Sequence, residues 1–298
     1  MKEYFHIPVM LEEVLDFLQV KKGGQYLDGT LGGGSYTRAI SSLAGDQGLV
    51  LSFDLDPLAI DNFLSQALNN VVVINNNFSQ IREVVLKNKN ELLKSRFDGM
   101  VLDLGLSSAQ LDDMTRGFSF QGEAPLDMSF GPQIDNSAYY IVNTYSQSDL
   151  ERIIKDYGEE PWAKKISENI IKSRRQNKIS STKELAEIIA TTIPQKFWSR
   201  KIHPATKTFQ ALRIETNQEL ENLKEFLNQS LDLLESQGRL VIVSFHSLED
   251  RIVKNYFRDW KKANLVKVLT PKPLSPSDSE IEKNYRSRSA KLRAIEKI

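Results

Sequence analysis

The 298-residue chain has no cysteine, which excludes disulfides, iron–sulfur clusters and thiolate zinc sites. Its three histidines, His6, His203 and His246, lie far apart and form no H-x-x-x-H pair. No zinc or iron site is therefore expected, while magnesium stays open. Net charge is also missing, because 39 Lys and Arg balance 39 Asp and Glu. Any polyanion must then be met by a local patch rather than by the whole molecule. No apolar run approaches the ~20 residues of a membrane span, and no signal-type apolar region follows Met1-Lys-Glu-Tyr-Phe-His6. A cytoplasmic location without a membrane partner is the expectation. Hydrophobic residues at 40% and charged residues at 26% are those of a soluble globular chain, long enough for one large domain or two modest ones.

What is present centres on Tyr26-Leu-Asp-Gly-Thr-Leu-Gly-Gly-Gly-Ser-Tyr-Thr37. It reads as a short apolar strand, an acidic strand end, a glycine-rich turn and a helix over 36–43. Gly32, Gly33 and Gly34 let a ligand lie against the backbone, and the N–H groups at a helix start are open to bond it. No Gly-Lys-Ser/Thr follows, so this is not a P-loop, and the third glycine of G-x-G-x-x-G is absent. Asp28, just before the glycines, would repel a pyrophosphate. It suits a cofactor with a cationic amino-acid end, namely S-adenosylmethionine. An ordinary glycine-rich turn between strand and helix is the competing reading.

The flanking pattern supports a doubly wound α/β fold. A helix opened by Pro8 is predicted over 8–19, a strand over 49–54 ending in Asp54, and a helix from Pro57 to about 68. Asp54 follows the glycines by about 20 residues, the offset at which an acid meets ribose hydroxyls; a simple helix cap is the alternative. A strand over 71–75 leads to Phe78, which either stacks beside an adenine or packs in the core. A helix over 79–95 and a strand over 97–103 ending in Asp103 follow. Strands alternating with helices predict a parallel sheet, with Asp28, Asp54 and Asp103 along one edge.

After Gly105 the pattern changes. Residues 107–132 read as loop, and then helices follow without strands: one opened by Ser148-Asp-Leu-Glu151, one over 160–175, and one opened by Ser181-x-x-Glu184. An α/β pattern resumes with a helix over 219–236, a strand over 239–245 and a helix over 247–262. Two last strands are predicted over 265–269 and 289–296. The expected organisation is an α/β domain, 1–109 and 206–298, interrupted by an all-helical domain at 110–205. Residues 151–213 carry fourteen Lys and Arg against seven Asp and Glu, and a second basic cluster lies at 283–293. Arg174, Arg175, Lys178, Arg286, Arg288 and Arg293 are the candidates for phosphate contact, against a solvated face in the helical block.

Taken together, these segments resemble the RsmH (MraW) family of S-adenosylmethionine-dependent methyltransferases. The matching residues are His6-Ile-Pro-Val-Met-Leu-x-Glu-Val14, Asp28-Gly-Thr-Leu-Gly-Gly-Gly34, Phe53-Asp-x-Asp-Pro57 and Leu102-Asp-Leu-Gly-x-Ser-Ser-x-Gln-Leu-Asp-Asp113. Arg116-Gly-Phe-Ser-Phe120, Pro125-Leu-Asp-Met128, Tyr157-Gly-Glu-Glu160, His203-Pro-Ala-Thr-x-Thr-Phe-Gln-Ala-Leu-Arg-Ile214, Ser244-Phe-His-Ser-Leu-Glu-Asp-Arg251 and Arg286-Ser-Arg-Ser-Ala-Lys-Leu-Arg293 complete the set. The resemblance implies a class I, Rossmann-like methyltransferase fold with a helical insertion. It implies methyl transfer to the N4 of a cytosine in bacterial 16S ribosomal RNA, with an assembled small subunit as the expected partner and naked RNA as the alternative. It assigns S-adenosylmethionine contacts to Gly33, Gly34, Ser35, Tyr36, Asp54, Phe78, Asp103 and Gln110. Two positions depart from the family pattern: Ser35-Tyr36-Thr37 stands where Gly-His-Ser is usual, and Ser129 where an arginine is usual.

The chemistry needs an acceptor for the N–H of a delocalised amine, and Asp103 with the Leu104 and Gly105 carbonyls is the expected one. The target base must leave any stack it occupies, and Phe118, Phe120 and Tyr36 are candidates to stack on it. His246 either touches the cytosine edge or makes a structural hydrogen bond. Two rivals are a Rossmann oxidoreductase, for which the glycine spacing is wrong, and a non-catalytic RNA-binding module, which needs no acid-lined glycine turn.

Overall fold

The computed structural model describes residues 8–65, 68–87, 95–120, 122–132, 134 and 136–298. His6 and the end of the helix predicted over 79–95 lie outside the described residues. The chain forms two units: 1–108 together with 220–298, and 109–219.

The first unit is built on a sheet of β1 (Gln25–Asp28), β2 (Leu49–Asp54), β3 (Val71–Asn75), β4 (Phe97–Asp103), β5 (Leu234–Ser244), β6 (Val266–Val268) and β7 (Lys291–Lys297). Their spatial order is β3-β2-β1-β4-β5-β7-β6. β1 to β5 pair in parallel. β7 is antiparallel to both β5 and β6, so the parallel pairing expected from the alternation stops at β5.

Alternate side chains of a strand face opposite sides, and here both sides are covered. Leu27, Leu51, Phe53, Met100, Leu102, Leu240 and Ile242 pack one face with Ile81, Val84, Phe226 and Phe257 from helices. Tyr26, Val50, Val101, Val241, Val243 and Leu292 pack the other with Val14, Leu18, Tyr36 and Ile40. This is why the strands read as continuous apolar runs. Each fully buried side chain of this kind contributes ~1.5–3 kcal/mol.

Local chemistry sets the helix ends. Asp56 caps Pro57–Leu64 by accepting from Leu58 N–H, with Pro57 in the first turn. The first helix is Leu11–Leu18, shorter than the one predicted from Pro8, because Met10 sits in the left-handed region at its cap. The helix Ser247–Lys262 has a capping box made by His246 and Glu249.

The second unit holds the helices Ala138–Thr144, Gln147–Asp156, Ala163–Arg174, Thr182–Thr192 and Thr206–Asn217. Ile141, Leu150, Ile153, Ile166, Ile170, Leu185, Ile189 and Leu212 are all buried. Ser181 caps its helix as expected, but the helix Gln147–Asp156 is capped by Ser146, which accepts from Asp149 N–H, and not by Ser148. The segment expected to be loop contains the helix Ser108–Asp112 and a 3-10 turn at Met114–Arg116. Within it, Met128 is buried. Its carbonyl accepts from the Asn217 side chain, whose oxygen accepts from Phe130 N–H. Ser129 donates to Asp127.

Two expected phosphate contacts are structural instead. Arg174 donates to the carbonyls of Val142 and Tyr145, both at 2.7 Å, and so closes the C-terminal end of the helix Ala138–Thr144. Arg293, central in β7, is buried and paired in a fork with Asp250 at 2.6 and 3.2 Å. Arg175, Lys178, Arg286 and Arg288 are exposed, with the Arg288 guanidinium over the Tyr285 ring.

Candidate active site

In an open α/β sheet a ligand crevice forms outside the carboxyl ends of the strands, where strand order reverses. Here the chain runs outward from β1 through β2 to β3, then returns to β4 on the other side of β1. The glycine turn leaves β1 at that reversal.

The turn is stitched to all three acidic strand ends. Gly32 N–H donates to Asp54 Oδ2 at 2.7 Å, and Asp56 N–H donates to Asp54 Oδ1 at 2.9 Å. Asp103 N–H donates to Thr30 Oγ1 at 2.7 Å. Asp28 accepts from Thr30 N–H at 3.1 Å and from Thr37 Oγ1 at 2.7 Å. Thr37 also shares a hydrogen bond with Ser52. Thr30, Thr37 and Ser52 therefore hold the site together, a role not read from the sequence; the hydroxyls of Thr30 and Thr37 shortly after Asp28 are the signal that could have found it.

Two glycines are required by geometry. Gly34 has φ +73° and a side chain there would collide with the Phe63 ring. Gly105, after β4, has φ +103° with Phe245 against it. Arg38, on the helix Ser35–Ala44, donates back to the Gly33 carbonyl. The first N–H groups of that helix have no carbonyl one turn back to bond.

The electrostatics are unusual for three acids. Burial pushes the Asp54 carboxyl up to about 6, against the pull of its two backbone N–H donors, with Asp56 and Asp28 adding repulsion. Asp103 stands well above the usual carboxylate range, through burial first and then the charges of Asp28 and Glu249. Its Oδ1 is shut from solvent and has no hydrogen-bond partner among the described residues. Asp28 is also raised by burial, which outweighs its hydrogen bonds. These acids favour a cation and hydroxyl donors as ligand.

The predicted residues divide. Gly33, Gly34, Ser35, Asp54 and Asp103 gather at the turn. Phe78 begins the 3-10 turn Phe78–Gln80 after β3; its ring is half-buried and meets Phe226 edge-on at 5.8 Å. Gln110 is buried, on the helix Ser108–Asp112 of the second unit. The Tyr36 ring does not stack on a base: it is buried, and its hydroxyl donates to the Val9 carbonyl. Its backbone N–H lies in the first turn of the helix Ser35–Ala44. Phe118 is likewise buried, against Phe130. His246 caps a helix, with Nδ1 accepting from Glu249 N–H at 3.4 Å.

A seven-stranded sheet in this order, with an acid-bound glycine turn at its reversal, defines a class I, Rossmann-like methyltransferase. The chain belongs to the MraW methylase family, which it matches over residues 3–298. It is 43% identical over 310 residues to the ribosomal RNA small subunit methyltransferase H of Syntrophobacter fumaroxidans, covering 98% of this chain and 96% of that one. Identity to the proteins of the same description is 43% over 316 residues in Geotalea uraniireducens and 43% over 316 residues in Heliobacterium mobile. Each of these two alignments spans 99% or more of both chains. The resemblance stated from the motifs is thereby borne out.

Proposed function

We infer that the protein is an S-adenosylmethionine-dependent methyltransferase of small-subunit ribosomal RNA, acting on the exocyclic N4 of a cytosine. The observation that carries this reading is the group of acids around the glycine turn, Asp28 buried and Asp54 and Asp103 half-buried. Asp103 Oδ1 lies buried and unpartnered among the described residues, and Asp54 is held at about 6. Such a site fits a cationic nucleoside and not a phosphate.

When bound, S-adenosylmethionine supplies a sulfonium methyl that is already electrophilic. The chain's task is to hold and align. Each Asp54 oxygen accepts one backbone N–H and keeps a lone pair for a ribose hydroxyl. Gly33, Gly34, Ser35 and the Tyr36 backbone border the amino-acid end, and Phe78 the adenine. Asp103 accepts an N–H of the cytosine amine. It takes up the proton that the amine loses as the methyl passes from sulfur to nitrogen. The substrate is an assembled small subunit in the cytoplasm.

The test is methyl transfer from labelled S-adenosylmethionine to purified small subunits and to naked ribosomal RNA, with mapping of the modified base. Methyl appearing at one cytosine N4, in subunits and not in naked RNA, is the expected result. Modification of another atom or base removes the assignment.

A further inference from the structure

We propose that the segment 194–207 of the second unit is a stacking platform for single-stranded RNA. This rests on the ribosomal RNA reading above and states where that unit grips its substrate. The sequence Pro194-Gln-Lys-Phe-Trp-Ser-Arg-Lys-Ile-His-Pro-Ala-Thr-Lys207 has four cationic residues and no acidic one. Its large apolar side chains point outward: Phe197 is 56% exposed, Trp198 36% and Ile202 36%. Three exposed apolar side chains within six residues form a local patch rather than isolated exposures.

The rings are braced, not loose. The Trp198 indole N–H donates to the Ile193 carbonyl at 2.8 Å, which fixes its plane. Phe197 lies 5.4 Å from Trp162, and Trp198 lies 6.3 Å from His203. His203 in turn lies 4.7 Å from Phe120, which meets Phe209 edge-on at 4.9 Å. The Lys196 ammonium sits 5.1 Å from the centre of the Phe197 ring. Arg200 and Lys201 are exposed beside them. Fixed aromatic faces interleaved with cations are what a flexible, unpaired polyanion needs: bases stack on rings while the backbone follows the charges. A duplex hides its base faces and offers nothing to the rings. Phe120 keeps a role here as a buttress for His203 rather than as a partner of the reacting base.

Two variants test this: Phe197→Ala, and the triple change Lys196→Gln, Arg200→Gln, Lys201→Gln. Neither touches the glycine turn or the acids. The probes are a single-stranded oligoribonucleotide and a hairpin duplex of the same composition, read by fluorescence anisotropy across a salt series. Phe197→Ala should bind the single strand about ten-fold more weakly at unchanged salt slope. The triple variant should flatten the slope by about two units, near 0.7 per lost phosphate contact. Hairpin binding should change by no more than about two-fold in Phe197→Ala, because a duplex hides its base faces. S-adenosylmethionine binding by calorimetry should be unchanged in both, which also verifies folding. Wild-type affinity and slope in both variants overturn the proposal. So does a Phe197→Ala protein that binds RNA normally but changes its mass in solution, because the rings would then cover a second copy of the chain. Methyl transfer by the wild type is scored separately: its absence overturns the activity inferred above, not this surface.

Discussion

The carboxyl edge of the sheet and the 194–207 segment handle charge in opposite ways. At the sheet edge Asp28 is buried and Asp54 and Asp103 are half-buried; the Asp28 and Asp54 carboxylates accept from backbone N–H and hydroxyl groups, and the Asp103 N–H donates to Thr30. Their charges are costly there, which favours a small cationic ligand. Around Phe197, cations and rings stand in solvent, where each charge is cheap and screened. Such a surface binds by summing many weak, salt-sensitive contacts. Basic residues divide into structural and solvent-facing ones. Arg174 and Arg293 are as basic as Lys196 and Arg200, but their donors are already committed to carbonyls and to Asp250.

The largest expected effect tests that separation. Arg293→Ala breaks a buried ion pair and leaves Asp250 with Lys291, at 3.6 Å, as its ion-pair partner among the described residues. Stability in denaturant should fall by ~3–5 kcal/mol, with the salt slope of RNA binding unchanged. Normal stability with a flatter slope would move the RNA grip to the tail.

Asp103→Asn comes next. It keeps the shape and removes a charge that the fold already disfavours. Single-turnover methyl transfer should fall about 100-fold or more, while the melting temperature holds or rises. Activity within a few-fold of wild type would remove Asp103 from the reacting amine.

Asp54→Asn should weaken S-adenosylmethionine binding about 10- to 100-fold, the worth of hydrogen bonds to a charged group. Asparagine keeps one of the two oxygens that hold the Gly32 and Asp56 N–H groups, and alanine keeps neither. Cofactor affinity unchanged in this variant would leave Asp54 as a brace of the turn alone.

The smallest effect is in pH. Asp54 stands at about 6 in the fold, above the ~3.9 of an unfolded chain. Between those values the native state holds the extra proton, so this group's contribution to stability falls as pH rises through the window. Hydroxyl donors prefer the ionised carboxylate, so cofactor affinity should run the other way. It should be flat above pH 6 and fall up to about ten-fold per pH unit below it. Calorimetry at pH 5, 6 and 7 reads this, and Asp54→Asn should remove the dependence.

Much of the fold was legible because its causes are local. The strands Leu49–Asp54 and Val71–Asn75 and the helix Ser247–Lys262 fall where apolar periodicity, Pro57 and the turn residues put them. The acids could be placed because a parallel strand must end at one edge of the sheet, whatever surrounds it. Sequence therefore determined the α/β frame, the glycine turn and Asp28, Asp54 and Asp103 as neighbours. Tertiary structure decided what each side chain does there. The Tyr36 ring turns inward to Val9, 27 residues away. Arg174 closes a helix end through carbonyls 29 and 32 residues away, and Arg293 meets Asp250 across 43. The antiparallel β7, the Ser146 cap in place of Ser148 and the outward rings of Phe197 and Trp198 belong to the same group. A charge or a ring carries no sign in its own neighbourhood of whether a distant carbonyl, carboxylate or solvent will meet it; only the packed chain brings that partner within hydrogen-bonding reach.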